Sequence, residues 1–228
     1  MAVDGERDRS VADQVLDLPA VLGVAAALAR RREIIGIVDW LRSEIERLGV
    51  DLRCNVFAEA CDVLEEGPDV VVIATGGVPD TSFLAEGEEL AVTCWHILGR
   101  QAAPGLDVLL FDANGAHPGA SCAEFLARAG NQLAAVLYDE YARALDERVV
   151  DQVVIEHGTL PADALYFELK PGSSKLGEID LDALLAGEPQ NKINNPDGAY
   201  RLFRVGDAVA SRNIHAAIYD SLRLSKDF

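Results

Sequence analysis

Four β-branched residues in an unbroken run, Val70–Ile73, constrain the fold of this chain more than any other feature. A strand with one face in water alternates apolar and polar residues, whereas an unbroken run is typical of a strand covered on both faces in a parallel sheet. The run continues directly into Thr75-Gly76-Gly77. Glycine lets the backbone approach a ligand closely, and the ligands of open α/β sheets lie at the carboxyl ends of the strands. This stretch therefore predicts a parallel α/β sheet with a glycine turn at its ligand-binding end.

A second strand, turn and helix are predicted near the C-terminus. The apolar residues of 202–205 predict a strand that stops at Gly206-Asp207, and apolar residues then recur at helical spacing from Ile214 to Leu222. The free amides of a helix N-terminus attract anions, so this turn is a candidate phosphate site. The alternative is a plain strand-to-helix turn at which Asp207 helps to cap the helix. Spacing alone leaves both interpretations open.

A third strand, Leu106–Phe111, is followed by a glycine-containing loop, Asp112–Ser121, and by a helix that ends at Gly130. This is the position of a dinucleotide-binding fingerprint, but G-x-G-x-x-G requires closely spaced glycines and only Gly115 and Gly119 are present. The loop is therefore a weak candidate for phosphate binding, and the alternative is a turn that binds nothing. Further strands are predicted at residues 132–137 and 149–155. A complete doubly wound domain needs two βαβ halves, and residues 106–160 have room for little more than one.

The remaining elements are predicted mainly from apolar periodicity. Residues 1–30 begin polar and become rich in Ala, Leu and Val, with no glycine fingerprint. Helices are predicted at 34–48, 93–98, 164–169 and 181–185, a short strand at 50–55 and an acidic turn or helical piece at 138–148.

The charge balance excludes two classes of partner. The net charge of −18, from 20 basic and 38 acidic residues, argues against binding of nucleic acids or anionic membranes. No apolar run reaches the length of a membrane span, and the acidic start is unlike a signal peptide. The cysteines, Cys54, Cys61, Cys94 and Cys122, include no C-x-x-C pair, so no metal or iron-sulfur site is predicted. We expect buried thiols in a cytoplasmic protein.

Several phrases resemble the C-terminal nucleotide-binding region of the trimethylamine dehydrogenase and 2,4-dienoyl-CoA reductase family, the branch of N-methylproline and dimethylglycine demethylases above all. These phrases are Ile35–Leu41, Ala74–Phe83, Val150–Gly158 and Gly206–Ile218. The resemblance extends over essentially everything from Arg31 onward. It implies a Rossmann-like, glutathione reductase-like parallel sheet with flanking helices, which is incomplete here.

Such proteins carry an N-terminal barrel like that of old yellow enzyme, which holds FMN, the catalytic residues and a 4Fe-4S cluster, and this barrel is not in the sequence. The fingerprint that would precede Arg31 is also missing, and the junction Gly130-Asn131 has the character of an internal deletion. By resemblance, residues 31–105 and 156–228 form an incomplete FAD/ADP-type domain. Residues 106–155 form the remnant of an inserted NAD(P)-type domain, and residues 1–30 form a divergent segment.

The resemblance implies two groups of cofactor-binding residues and no catalytic residue. The first group would surround FAD or ADP, although the missing fingerprint weakens that site, and comprises Thr75, Gly76, Gly77, Gly206, Asp207, Arg212, Asn213 and Ile214. The second group, Asn114 and Gly115, would face a second cleft, where the departure from the fingerprint argues against NAD(P)H. His157 and His215 occupy matched positions but are interpreted as structural.

Two functions follow as alternatives. The chain is either the C-terminal part of a flavin-dependent oxidoreductase that acts on N-methylated amines, or a non-catalytic nucleotide-binding or docking module, which includes a truncated inactive product. In the first case it contributes an FAD or ADP cleft and acts with a separate FMN-barrel subunit or as part of a longer polypeptide. A homo-oligomer is a further possible assembly.

Overall fold

The computed structural model describes Glu33, residues 35–137 and residues 149–225. The predicted acidic piece 138–148 and the segment 1–30 lie outside these residues. Chain contacts divide the molecule into two units. Unit 1 contains the described residues up to Phe57 and those from Thr81 to His157, and unit 2 contains Ala58–Asp80 and the described residues from Gly158. The predicted division into FAD/ADP-type and NAD(P)-type domains concerns ligands rather than contacts, and it stays a prediction.

Unit 1 is built on a parallel sheet of four strands. Their order is β3 (Val92–Thr93), β6 (Gln152–Glu156), β4 (Asp107–Asp112) and β5 (Gln132–Leu137). The helices of the unit are α1 (Ile35–Leu48), α3 (Cys94–Leu98) and α4 (His117–Arg128). Alternate residues of β4 are buried, since Val108 and Leu110 pack with residues of α3 and α4 in one core.

Unit 2 contains two small sheets. Strand β1 (Val70–Ile73) pairs in parallel with β8 (Arg201–Arg204), and β2 (Gly77–Pro79) pairs antiparallel with β7 (Thr159–Pro161). The helices are α2 (Ala60–Glu65), α5 (Ala164–Leu169), α6 (Leu181–Ala186) and α7 (Ile214–Leu224). The main core joins β1, β8 and α5 through Val71, Ile73, Tyr166, Leu169 and Leu202. These parallel strands and flanking helices confirm the predicted α/β class.

Apart from shifts in the limits of elements, the structure departs from the predictions in two places. Residues 50–55 form no strand, because no strand among the described residues pairs with them, and Val50 and Leu52 remain exposed. Strand β1 is covered on its second face only in part, since Val72 is 43% exposed. The periodicity at 34–48 correctly predicted α1, which ends at Gly49 with a φ of 67°. The helix nevertheless buries only Val38. The apolar spacing therefore predicted the helix correctly but did not predict how little of it is buried.

Candidate functional site

The carboxyl ends of β1 and β8 lie side by side in unit 2. Ile73 is in register with Arg204, and the amide of Val205 donates a 3.0 Å hydrogen bond to the carbonyl of Ile73. The chain continues from these ends into Thr75–Gly77 and into Gly206–Asp207. The structure therefore brings the two glycine-containing turns of the first predicted group to one end of one parallel strand pair.

The turn after β1 is hydrogen-bonded to the residue that follows β7, and it has unoccupied space beside Gly76. The Thr75 hydroxyl donates to the Ala162 carbonyl at 2.5 Å, and the Ala162 amide donates to the Gly76 carbonyl at 3.0 Å. A β-carbon on Gly77 would stand 2.7 Å from the Leu160 carbonyl oxygen, so Gly77 is required by packing. Gly76 has a φ of 74°, and a β-carbon there would meet no atom within 4 Å. Gly76 is the residue of this turn with free space beside it.

The turn after β8 is held by its own side chains. Gly206 has a φ of 63° and packs closely on α7, where its β-carbon would lie 3.2 Å from that of Ala217. The Asp207 carboxylate accepts the amide of Arg212 at 3.0 Å. The helix cap is Asn213, whose side-chain oxygen accepts the amide of Ala216 at 2.9 Å. Asp207 therefore orders the loop before α7 and does not cap the helix, which corrects one of the two interpretations.

Two residues of the first group are at the exposed start of α7. The Arg212 guanidinium is paired with the Asp220 carboxylate of the same helix, and the Ile214 side chain is 39% exposed. A ligand phosphate would have to compete with Asp220 for Arg212. The start of α7 thus follows the second glycine turn and has beside it one arginine that is already partnered.

An arginine that the sequence reasoning missed fixes β8 to α5. The Arg204 guanidinium lies 2.6 Å from the Asp163 carboxylate and donates to the Ala208 carbonyl at 3.3 Å. It also lies over the Tyr166 ring, 4.5 Å from the centroid. Burial raises the pKa of Tyr166, and the nearby Arg204 charge partly opposes this shift. No sequence signal marks Arg204, because its partner is 41 positions away.

The second predicted group lies in unit 1, in the loop between β4 and α4. The Asp112 carboxylate accepts the amides of Asn114 and Gly115 at 3.0 and 2.8 Å. The Asn114 side-chain amide donates to Glu156 at 3.3 Å, and Glu156 is in register with Asp112. Both carboxylates are buried. Polar groups of the loop thus donate hydrogen bonds to two acidic side chains at the carboxyl end of the sheet.

A pair of thiols lies beneath these carboxylates in the unit 1 core. Cys94 begins α3, Cys122 lies on α4, and both are fully buried. A hydrogen bond with Cys122, burial and the charges of Glu156 and Asp112 all raise the pKa of the Cys94 thiol. A thiol held in its protonated form is a poor nucleophile and a poor metal ligand. The pair is a packing element.

Two histidines of unit 1, His96 and His157, act in capping and packing. His157 stacks on Phe83 with 4.0 Å between ring centroids, as expected for a structural residue. His96 Nδ1 accepts the amide of Thr93 at 3.2 Å, which completes a capping box at the start of α3. Burial lowers the pKa of His96. Among the described residues no three His, Cys, Asp or Glu side chains are grouped as a metal site. In that same part of the chain, no helix has the length and apolar character needed to cross a membrane.

The chain has relatives in sequence and in structure, and no family model matches it. The chain is 42% identical over 275 residues to the Probable N-methylproline demethylase of Rhizobium meliloti (strain 1021), a match that covers 99% of this chain and 41% of the relative. It is 36% identical to the N,N-dimethylglycine/sarcosine dehydrogenase of Chromohalobacter salexigens, over 90% of this chain and 38% of the relative. It is 34% identical to the Multifunctional alkene reductase/demethylase OYE of Caballeronia cordobensis, over 88% and 37%.

The chain therefore spans about two fifths of the length of these curated relatives. The first match contains 275 aligned positions against the 228 residues of this chain, so at least 47 positions of that relative have no counterpart here. Among solved structures, 2-naphthoyl-CoA reductase in complex with 2-naphthoyl-CoA has a TM-score of 0.69 at 19% identity, over 91% of this chain and 34% of that chain. At this identity the likeness shows the fold alone.

Proposed function

We propose a function from one premise: the chain is a homologue of the C-terminal portion of the trimethylamine dehydrogenase and 2,4-dienoyl-CoA reductase family of old yellow enzyme-like proteins. These relatives confirm the resemblance drawn from the sequence. The chain contributes an FAD- or ADP-type nucleotide site to a flavin-dependent oxidoreductase that acts on N-methylated amines. The amine substrate class comes from the names of the demethylase and dehydrogenase relatives.

The adjacent carboxyl ends of β1 and β8 carry this proposal. Each of these parallel strands ends in a turn with a left-handed glycine, Gly76 at a φ of 74° and Gly206 at 63°. Residues with a side chain are strained in this conformation. Such turns at neighbouring strand ends, followed by a helix N-terminus, are where α/β sheets bind nucleotides.

The residues fit a nucleotide in part. The free space beside Gly76 admits a ligand close to the backbone, and the start of α7 supplies the positive end of a helix dipole. Arg212 and Asn213 stand at that start, although Arg212 is paired with Asp220. An FAD held at this site would supply redox chemistry to the larger assembly, whereas an ADP would not. The role of this chain is to bind and orient the nucleotide through Thr75–Gly77, Gly206 and Asp207.

The chemical step is proposed for an assembly larger than this chain. The relatives are more than twice as long, so the FMN-containing barrel and its 4Fe-4S cluster are assigned to the portion that this chain does not match, either in a separate subunit or in a longer polypeptide. The aligned positions that this chain lacks support an internal deletion, and its location at Gly130-Asn131 is proposed from the sequence.

A docking module is the second candidate, and exposed apolar residues favour it. Helix α1 leaves Trp40 62% exposed and Leu48 64% exposed, and Phe57 beyond it is 59% exposed. Large exposed apolar side chains mark a contact with another protein when they form a contiguous patch. In this function the chain serves an oxidoreductase assembly without binding a nucleotide.

Thermal unfolding of the purified chain with FAD, ADP and NADH separates the two candidates. A ligand that binds only the folded state raises the midpoint of unfolding. We expect FAD or ADP to raise the midpoint in the wild type and to raise it less in Gly76→Val, whose branched side chain fills the open space and strains the turn. Gly67→Val, at a φ of 59° with equally open surroundings in the same unit, controls for backbone strain. A sharp transition that neither nucleotide shifts would refute the nucleotide site and leave the docking module.

A further inference from the structure

We infer that the dinucleotide-type loop of unit 1 is closed by its own anion: the Asp112 carboxylate stands where a nucleotide phosphate would bind. Asp112 is thereby a specificity-determining residue that excludes pyrophosphate from this loop. The inference concerns unit 1 only and does not depend on the nucleotide site proposed in unit 2.

Loops of this type bind phosphate through backbone amides. In a strand, glycine loop and helix, the N–H groups of the loop and of the first helical turn converge on the ligand, and the helix dipole favours a negative charge there. Unit 1 has all three parts, namely β4, the loop with Gly115 at a φ of 63°, and the twelve-residue helix α4. Phosphate binding then depends on which of the backbone amides are still available to a ligand.

Two amides of the loop are already used. Oδ1 of Asp112 accepts both the Asn114 and the Gly115 N–H groups, at 3.0 and 2.8 Å. A carboxylate with two backbone donors has the same kind of contact that a phosphate oxygen makes. Asp112 is 7% exposed, so this internal anion is shielded from water, which strengthens these hydrogen bonds.

The same carboxylate fills the space at the helix. A β-carbon on Gly119, the third residue of α4, would lie 2.2 Å from Oδ2 of Asp112 and 2.5 Å from its Cγ. In dinucleotide folds, glycine at such a position brings the helix close to the ligand. Here the absent side chain brings the helix close to Asp112 instead. This explains why Gly119 is present without the rest of the fingerprint.

Electrostatics oppose a second anion at the same place. Glu156 is 4% exposed, is in register with Asp112 on the adjacent strand, and accepts the Asn114 side-chain amide. A pyrophosphate would have to displace one buried carboxylate and approach another. Both the hydrogen-bond donors and the local charge therefore disfavour phosphate in unit 1.

Inorganic pyrophosphate is a suitable probe, and backbone amide NMR of the whole chain reads each unit separately. The Asn114 and Gly115 amides report on unit 1, and those of Gly206 and Asp207 report on unit 2. We expect millimolar pyrophosphate to leave the unit 1 amides of the wild type unmoved. In Asp112→Ala the same amides should shift and saturate, with affinity at least about tenfold above that of the wild type.

Asp151→Ala is the matched control, because Asp151 accepts the Asp107 amide at 3.0 Å at the opposite end of β4. It removes the same charge and one backbone contact, and its Asn114 and Gly115 amides should stay unmoved. Movement of these amides in the wild type, or no movement in a folded Asp112→Ala, would overturn the inference. If Asp112→Ala does not fold, the wild-type titration decides alone, since unmoved amides uphold the closed loop and moved amides refute it. Shifts at Gly206 and Asp207 concern unit 2 and test only the proposed function.

Discussion

The Asp112 carboxylate at the end of β4 lies against Gly119 in the first turn of α4, so close that a β-carbon on Gly119 would overlap it. The packing of this helix on its sheet therefore depends on a negative charge on one side and on a missing side chain on the other. A substitution at either residue should therefore change the energetic effect of a substitution at the other.

Gly119→Ala should lower the free energy of unfolding of unit 1 by about 1–3 kcal/mol, because the new methyl group overlaps the carboxylate. In an Asp112→Ala background the same change should cost at least ~1 kcal/mol less, since residues in contact are not additive. Chemical denaturation of both single variants and of the double variant measures this coupling. Gly36→Ala is the control, because its β-carbon meets nothing on exposed α1 and should raise stability by up to about 1 kcal/mol. Equal costs in both backgrounds would show that the two residues are independent.

Asp207→Ala should weaken FAD or ADP binding by about tenfold and lower the stability of unit 2 by about 1 kcal/mol, because the Arg212 amide loses its acceptor and the loop before α7 loosens. Isothermal calorimetry measures the affinity and denaturation measures the stability. Asp197→Ala removes the same charge from an exposed loop of unit 2 and should change neither. An unchanged affinity in Asp207→Ala would place the nucleotide elsewhere or nowhere.

The stability of unit 1 should fall as pH drops below about 6.5, the ordinary pKa of histidine. Burial lowers the pKa of His96 in the folded state, so the unfolded state takes up the proton first. The stabilisation is present above the unfolded pKa and is lost as pH falls through the folded one. A protonated Nδ1 can no longer accept the Thr93 amide.

Tryptophan fluorescence follows this transition, because both tryptophans, Trp40 and Trp95, lie in unit 1. His96→Gln preserves a capping-box acceptor without a titrating group, so its unfolding free energy should depend less on pH between 7 and 5 than that of the wild type. Identical pH profiles of the two proteins would exclude His96 as the source.

Lys175→Ala should lower the stability of unit 2 by about 2–4 kcal/mol, as expected for a large side chain removed from a core. Lys175 is 1% exposed, its ammonium lies 3.3 Å from Oε1 of Gln190, and it stands 4.4 Å above the centre of the Phe203 ring. Lys192→Ala removes an equal charge from an exposed pair with Glu178 and should change stability little. Similar losses in the two variants would mean that Lys175 has no special role in the core.

Local sequence patterns predicted what depends on neighbouring residues. The limits of α5 and β5 were predicted residue for residue, because capping and apolar spacing are local. The turns at Gly76 and Gly206 were also predicted, since glycine is the residue that takes those positive φ angles at the least cost. The pairing of β2 with β7 was not predicted. It joins two three-residue segments too short to carry a periodic signal.

Contacts between residues that are distant in the chain could not be predicted from sequence patterns, for a physical reason. The glycines of the loop Asp112–Ser121 predict an incomplete phosphate fingerprint, and they carry no information on the contacts that Asp112 makes. Hydrogen bonds from Asn114 and Gly115 to Asp112 depend on backbone angles that residue types do not specify. The burial of Lys175 was equally hidden, because a lysine is almost never fully buried without partners that lie elsewhere in the chain.

The pairing of Val70–Ile73 with Arg201–Arg204 also determines when unit 2 can form. Its two halves are separated in the chain by the second segment of unit 1, Thr81–His157. Contacts between residues so distant along the chain close slowly, and during synthesis β8 leaves the ribosome only after the whole parallel sheet of unit 1 has emerged. We therefore expect unit 1 to fold first and the two glycine turns to meet last. A ribosome stalled before residue 201 would hold a chain whose β1 has no partner strand and whose two glycine turns are not yet side by side.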